Sequence, residues 1–453
     1  MSTAADPAGR ATPLAPVNSR YGVYVVGVLI LAYTFSYVDR TILTLMVDPI
    51  RASLQISDVQ LSLLHGLAFA VFYTLMGVPI GQLVDRRKRT TIIATGVAVW
   101  SVMTALCGLS RTFTQMFLAR IGVGVGEAAL SPGAYSLLAD WFEGKALVRA
   151  LSFYQCAIYV GGGLATMIGG TMIALVPAVT TTITGALEPW QVVFVIVGLP
   201  GLLIALLVLS LREPARRGVN ADDAHPGFGE VLAYMRRNWR AYAGLILGLC
   251  FASLMWNGVA AWIPSHFIRL YGWTPAEVGL RYGFVLLVFG TGGILTGGWI
   301  AGRLRERGLR DANVVICLIS ALAALPFGVV APLMPGAWPS LAVFALYLFA
   351  GAMPYGGAAA AFQEITPNRM RGQVSAVYLF WLNLAGIGLG PTLVAWMAHA
   401  WFGGDLGISR GIAADVAVAA PLSALLFWLT REPYKAALKL VHTKSSEAES
   451  SKL

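Results

Sequence analysis

The chain has 453 residues, 57% of them hydrophobic and only 12% charged, with a formal net charge of +10. A soluble globular chain carries about 25% charged residues. This composition therefore excludes a water-soluble enzyme and points to a multi-span membrane protein.

Residues 1–21 form a polar tail without the features of a cleavable signal. Twelve apolar stretches follow, at 22–48, 58–84, 90–109, 113–139, 149–175, 190–211, 241–268, 276–302, 312–332, 339–363, 371–400 and 412–430. Each is long enough to cross hydrocarbon, which needs roughly 20 residues as a helix. Between the sixth and seventh lies a polar stretch, 212–240. Its second part, Phe228 to Trp239, alternates Val231, Leu232 and Met235 with Glu230, Arg236 and Arg237 at helical spacing. It reads as an amphipathic helix on the membrane surface or as an unstructured loop. Residues 431–453 form a second polar tail.

Basic residues gather on one side of this topology: Arg86, Arg87, Lys88 and Arg89, the arginines of 212–240, and Arg303, Arg305, Arg307 and Arg310. The opposite side has Arg51, Arg111, Arg269, Arg281 and Arg410. This asymmetry puts both tails in the cytoplasm and makes a bacterial inner membrane the expected location. It accounts for the net charge without nucleic acid as a partner.

The halves repeat. ThrArgGluPro at 430–433 echoes LeuArgGluPro at 211–214, and Gly298–Gly302 before Arg303 echoes Gly77–Gly81 before Asp85 and Arg86. A duplicated six-helix unit is expected, 22–211 and 241–430, with a ligand site between the units near the midplane.

The first span contains Asp39 and Arg40, and the fourth contains Arg120 and Glu127. Ions in hydrocarbon cost several kcal/mol, so they face a protein interior or a wet cavity and have partners. The alternative places Asp39 and Arg40 at the water-exposed end of their span. Arg120 and Glu127 lie two turns apart and share a face, thinned by Gly122, Gly124 and Gly126. An Asp39–Arg120 contact is expected, with Glu127 deeper. Burial and a neighbouring arginine push a carboxyl group's proton affinity in opposite directions. A carboxyl whose arginine moves is thus a proton-coupling device; the competing reading is a static ion network.

The second half shows few interior charges. Its candidate cavity residues are Trp256, Asn257, Tyr355, Phe380 and Asn383, facing Gln155 and Tyr159 of the first half, with Arg40, Arg120 and Glu127 for a head group. Gly77 and Gly81, four apart, make a smooth face ending at Asp85, Arg86 and Arg89. With Asp140, Arg149, Glu364 and Arg371, these are the candidate gate residues. Cys107, Cys156, Cys250 and Cys317 lie in apolar spans without metal-ligand spacing. No metal, cofactor or nucleotide loop is expected.

GlyGlnLeuValAspArgArgLysArg at 81–89 resembles the loop signature of the major facilitator superfamily, departing at Lys88, where the family usually has glycine. The second half lacks the corresponding Asp. Tyr37-Val-Asp39-Arg40, Arg120-x-x-x-Gly124-x-Gly126-Glu127-Ala, Pro132 and Asp140-Trp-Phe142 resemble the Spinster branch, whose members are associated with sphingolipids and lysophospholipids. The resemblance implies an all-α fold of two parallel six-helix repeats. It also implies a secondary carrier for a small amphipathic substrate; proton coupling is expected from the buried acids, and a monomer is expected. A drug or organic-anion carrier, or a channel-like facilitator, is the alternative.

Overall fold

The computed structural model describes residues 20–142, 144–175, 180–182, 185–214, 227–367, 370–403 and 407–450. The first half comprises α1 (Arg20–Leu45), α2 (Val47–Leu54), α3 (Asp58–His65), α4 (Leu67–Arg86), α5 (Arg89–Gly108), α6 (Phe113–Glu127), α7 (Leu130–Trp141), α8 (Gly144–Leu175), α9 (Pro189–Gly198) and α10 (Gly201–Leu209). An antiparallel ribbon, Thr180–Thr182 against Gly185–Leu187, interrupts the helices before α9. Then come α11 (Phe228–Arg237), α12 (Trp239–Tyr271), α13 (Pro275–Val285), α14 (Thr291–Glu306), α15 (Ala312–Val330), α16 (Ala337–Ala352), α17 (Pro354–Glu364), α18 (Arg371–Asn383), α19 (Gly390–Met397) and α20 (Gly407–Ser450).

Among the described residues, eleven stretches are long and apolar enough to cross a membrane, and each falls on an expected span. The remaining expected span, 113–139, is built as α6 followed by α7. The break lies at Ala128–Ala129, and its cause is local. Pro132 has no N–H to give the carbonyl of Ala128, and its ring crowds that turn. The last helix runs on past the expected end at 430 to Ser450, with Pro421 and Pro433 inside it.

Two spans start alike and break alike. Ser57 and Gln60 form a capping box at α3, and Thr274 and Glu277 form one at α13. Each box satisfies N–H groups that a helix start leaves without partners. The first span then breaks at Gly66; the second widens into a π-turn over Leu286–Gly290 before α14. A third break, the π-turn Leu384–Leu389, precedes Pro391, and such turns recur at functional sites. Pro264, by contrast, lies inside a continuous α12.

The halves press together toward one end. A Cβ on Gly66 would lie 2.5 Å from Ile387 O, and one on Gly283 would lie 2.7 Å from Gly163 O. A Cβ on Gly170 would lie 2.6 Å from Pro275 O. Only glycine permits such backbone approach. At the same end Arg269 of α12 donates to Asp48 Oδ1 at 2.8 Å and to Asp58 at 2.9 Å through each terminal nitrogen, so ion pairs join the halves there.

The opposite end is arranged differently. Arg89 pairs with Asp140 and with Glu213 at 2.7 Å; Arg305 pairs with Glu364, which also accepts from Tyr434 at 2.5 Å. Every one of these pairs stays inside its own half. Among the described residues, a Cβ on Gly77, Gly81, Gly298 or Gly302 would meet nothing within 4 Å. The glycine faces expected to receive another helix are open.

The linker reading resolves to helix. Val231 and Met235 of α11 are buried, Phe228 and Leu232 are exposed, and Tyr234 donates to Ile365 O at 2.9 Å. Residues 215–226 lie outside the described residues.

Candidate functional site

A buried acid–base cluster sits where α1, α3, α4, α5 and α6 meet. Asp39, Arg120 and Glu127 are each 1% exposed, which rules out the reading of Asp39 at a wet helix end. Glu127 is the last residue of α6, so the break imposed by Pro132 places its carboxylate at the kink. Its Oε2 accepts from Ser36 Oγ at 2.6 Å and from Arg40 Nε at 2.7 Å, with a terminal nitrogen of Arg40 also in contact. Its Oε1 is buried without a partner.

Asp39 points elsewhere. Neighbouring helical residues differ by about 100°, and Asp39 turns toward α5, where Thr104 Oγ1 donates to its Oδ2 at 3.0 Å. Its Oδ1 is buried and unpartnered. Among the described residues no ion pair joins Asp39 to Arg120, contrary to expectation. Arg120 instead donates from Nε to Leu64 O at 3.3 Å, and its Nη1 is orphaned. The carbonyl of Leu64 is available because α3 ends at His65.

Arg40 is the member nearest to open space. Its side chain keeps 20% of its surface, against 0% for Glu127. Its guanidinium lies 4.5 Å from the Phe69 ring centroid, 5.4 Å from Tyr37 and 5.3 Å from Tyr73. Ring faces attract a cation with about 0.5–2 kcal/mol each. Arg40 therefore has a resting place that does not depend on Glu127 alone.

Three expected cavity residues come together across the halves. Tyr159 of α8, Trp256 of α12 and Tyr355 of α17 stand edge to face, with centroids 6.0 to 6.2 Å apart. The Tyr159 hydroxyl is buried and unpartnered. Asn257 is turned into its own half, donating to Ser253 O at 2.8 Å. Phe380 and Asn383 are half-buried on α18. The side chain of Gln155 lies outside the described residues, as do those of Asp85, Arg86 and Arg149. Arg371 binds the carbonyls of Gln363 and Thr366 and so ties off the end of α17. Cys107, Cys250 and Cys317 are buried free thiols.

Ser36, Thr104, Phe69 and Tyr73 had no signal in the sequence, because their roles depend on which helix stands opposite. Asp48, Asp58 and Arg269 were legible as span-end charges but not as partners. Asp415, buried inside α20, is an interior charge of the second half that the sequence did not single out.

Two helical bundles in one membrane chain, with buried ionisable groups and an aromatic meeting point between them, have the architecture of a secondary carrier. The chain belongs to the Major Facilitator Superfamily, whose family model matches residues 29–391. It is 27% identical to an MFS-type efflux pump of Mycolicibacterium smegmatis, over 90% of this chain and 92% of that protein. It is 26% identical to protein spinster homolog 1 of Xenopus tropicalis, over 69% of this chain and 60% of that protein. A crystal structure of a bacterial homologue of the human lysosomal transporter Spinster, inward-facing and unoccupied, superposes with a TM-score of 0.77. That match has 26% identity and covers 93% of this chain and 98% of the other.

Proposed function

We propose that this Spinster-like transporter couples proton movement to the passage of an amphipathic small molecule of the lysophospholipid or sphingolipid kind. The observation that carries the reading is the Arg40–Glu127 pair. Glu127 is sealed from solvent with one oxygen unused, while Arg40 keeps 20% of its side-chain surface exposed. A proton arriving at Glu127 removes the charge that holds Arg40. The freed guanidinium then turns to the anionic head group of a substrate whose apolar part rests against Tyr159, Trp256 and Tyr355. Asp39, beside Thr104 and near Arg120, is the second proton acceptor.

Access follows from the two ends. Arg269 with Asp48 and Asp58 closes one end, and the empty glycine faces of Gly77–Gly81 and Gly298–Gly302 mark the other as open. The positive loops support a reading with the open end and both tails at the cytoplasm and a bacterial inner membrane as the location. The likeness to an inward-facing Spinster homologue supports this orientation. In this reading the working unit is one chain, which contains both bundles.

The test is uptake into liposomes under an imposed pH gradient. Glu127→Gln and Asp39→Asn each abolish gradient-driven accumulation while leaving substrate exchange. If both variants still respond to the gradient, the role proposed for them is wrong. The likeness to an efflux pump over nearly the whole chain favours one second reading, a drug or organic-anion exporter. Flux of lysophospholipids against flux of cationic drugs in the same liposomes separates the two.

A further inference from the structure

The second half contains an ionisable group that the transport reading leaves unused. Asp415 lies in α20, about 12 Å along the helix from Gly407 at 1.5 Å per residue. It is 1% exposed, and both carboxyl oxygens are buried without a hydrogen-bond partner. Its neighbours hold it tightly. A Cβ on Gly258 of α12 would lie 3.1 Å from Asp415 Oδ2, 3.0 Å from Gly390 O and 3.0 Å from the Val394 side chain of α19.

Among the described residues, no surrounding element offers a counter-charge. From α12, the nearby polar groups are Trp262, whose Nε1 donates to Pro391 O, and His266, held between Ser409 and Ser340. From α16 comes Tyr347, whose hydroxyl is given to Met255 O. Tyr282 of α13 is buried. From α15, Gly328 faces Tyr347 and Val416. On α20 itself Arg410 is exposed. Among the described residues no cation pairs with Asp415.

An ionised carboxylate without partner or water is the costliest group to hold in a protein interior, and in practice such a group takes up a proton. We propose that Asp415 is a proton-binding site of the second half, separate from the Arg40–Glu127 cluster, and that its proton holds α12 against α19 and α20. Ionised, Asp415 needs water, and water enters only where those helices part. Because α12 also carries Trp256 and Arg269, this proton bears on both the aromatic meeting point and the closed end.

Infrared spectroscopy of the full chain in lipid nanodiscs, with and without isotope-labelled aspartate, tests the site. At neutral pH the chain shows a protonated-carboxyl band that moves with the label and in heavy water. Asp415→Asn removes it, also in an Asp39→Asn, Glu127→Gln background, so the result does not depend on the roles of those residues. A difference spectrum containing carboxylate bands, or none, overturns the proposal. Should the Asn variant not fold, Asp415→Ser serves the same subtraction. In a second measurement, the thermal midpoint of the parent chain falls more steeply than that of Asp415→Asn as pH rises above the ordinary aspartate value of about 4. A parallel fall in both overturns the claim that the proton holds α12.

Discussion

Arg89 and Asp311 open equivalent helices of the two halves with opposite charges, and each holds the opposite member of a repeated ArgGluPro triplet. Arg89 binds Glu213 at 2.7 Å, and Asp311 binds Arg431 at 2.7 Å. The duplicated unit has kept the clasp between its third and sixth helices while reversing its polarity. The two clasps are alike in depth: the residue that opens the helix keeps 1% of its side-chain surface in each, and the triplet residue keeps 22% for Glu213 and 31% for Arg431. They differ in company, since Arg89 also serves Asp140, while Asp311 has Lys435 at 3.7 Å as a second cation.

Removing one partner of a buried pair costs about 3–5 kcal/mol, because the other charge is stranded. Arg89→Ala strands both Glu213 and Asp140 and is expected to lower the thermal midpoint in detergent severely. Arg431→Ala leaves the buried Asp311 with Lys435 at 3.7 Å and is expected to lower the midpoint less, while loss of Lys435 as well brings the drop up to that of Arg89→Ala. Equal losses from Arg89→Ala and Arg431→Ala would show that Lys435 does not stand in for Arg431.

The pH dependence of the first clasp has a definite sign. Burial alone would raise the Glu213 carboxyl, but the Thr90 N–H at 3.0 Å and Arg89 outweigh it and hold the group below its ordinary value. A depressed carboxyl contributes stability that is complete above the unfolded value, near about 4.3, and is lost as pH falls through the folded value. The gap in thermal midpoint between the parent chain and Glu213→Gln is expected to stay constant from about pH 7 to 5 and to close below about 4. A gap that closes near neutrality would assign it to another group.

At the closed end Ser62 Oγ lies 3.2 Å from Thr392 Oγ1, across the halves. A Ser62→Cys, Thr392→Cys pair is expected to cross-link under mild oxidation and to stop transport, with recovery on reduction. Arg269→Ala removes the neighbouring ion pairs and is expected to slow cross-linking. Full transport by the cross-linked protein would mean that this contact does not open during the cycle.

The helices were legible because lipid demands long apolar runs whose backbone is satisfied internally. The expected span that does not reappear among the long apolar helices, 113–139, is the one that carries Arg120, Glu127 and Pro132, where charge and proline interrupt the pattern. The acid–base cluster was legible in membership, since ions in apolar runs stand out, but not in pairing. Asp39 and Arg40 are adjacent in sequence and face different helices, and nothing in their spacing says that Glu127 takes Arg40 while Thr104 takes Asp39. Asp415 went unnoticed because it sits near the end of an apolar run, where a charge reads as a boundary.

The two kinds of glycine give opposite expectations for one substitution. Gly283→Val puts a side chain where Gly163 O already stands within 2.7 Å of a Cβ, so it pushes the closed end apart. Gly81→Val meets nothing within 4 Å among the described residues and leaves this conformation intact. If the open glycine face must receive another helix when the cycle turns over, Gly81→Val binds substrate and keeps its thermal midpoint but loses most of its transport rate. Gly283→Val is expected to lose thermal stability first. A Gly81→Val protein that transports at the parental rate would show that the face stays open throughout, and the gate would have to be sought at Arg89 and Glu364 instead.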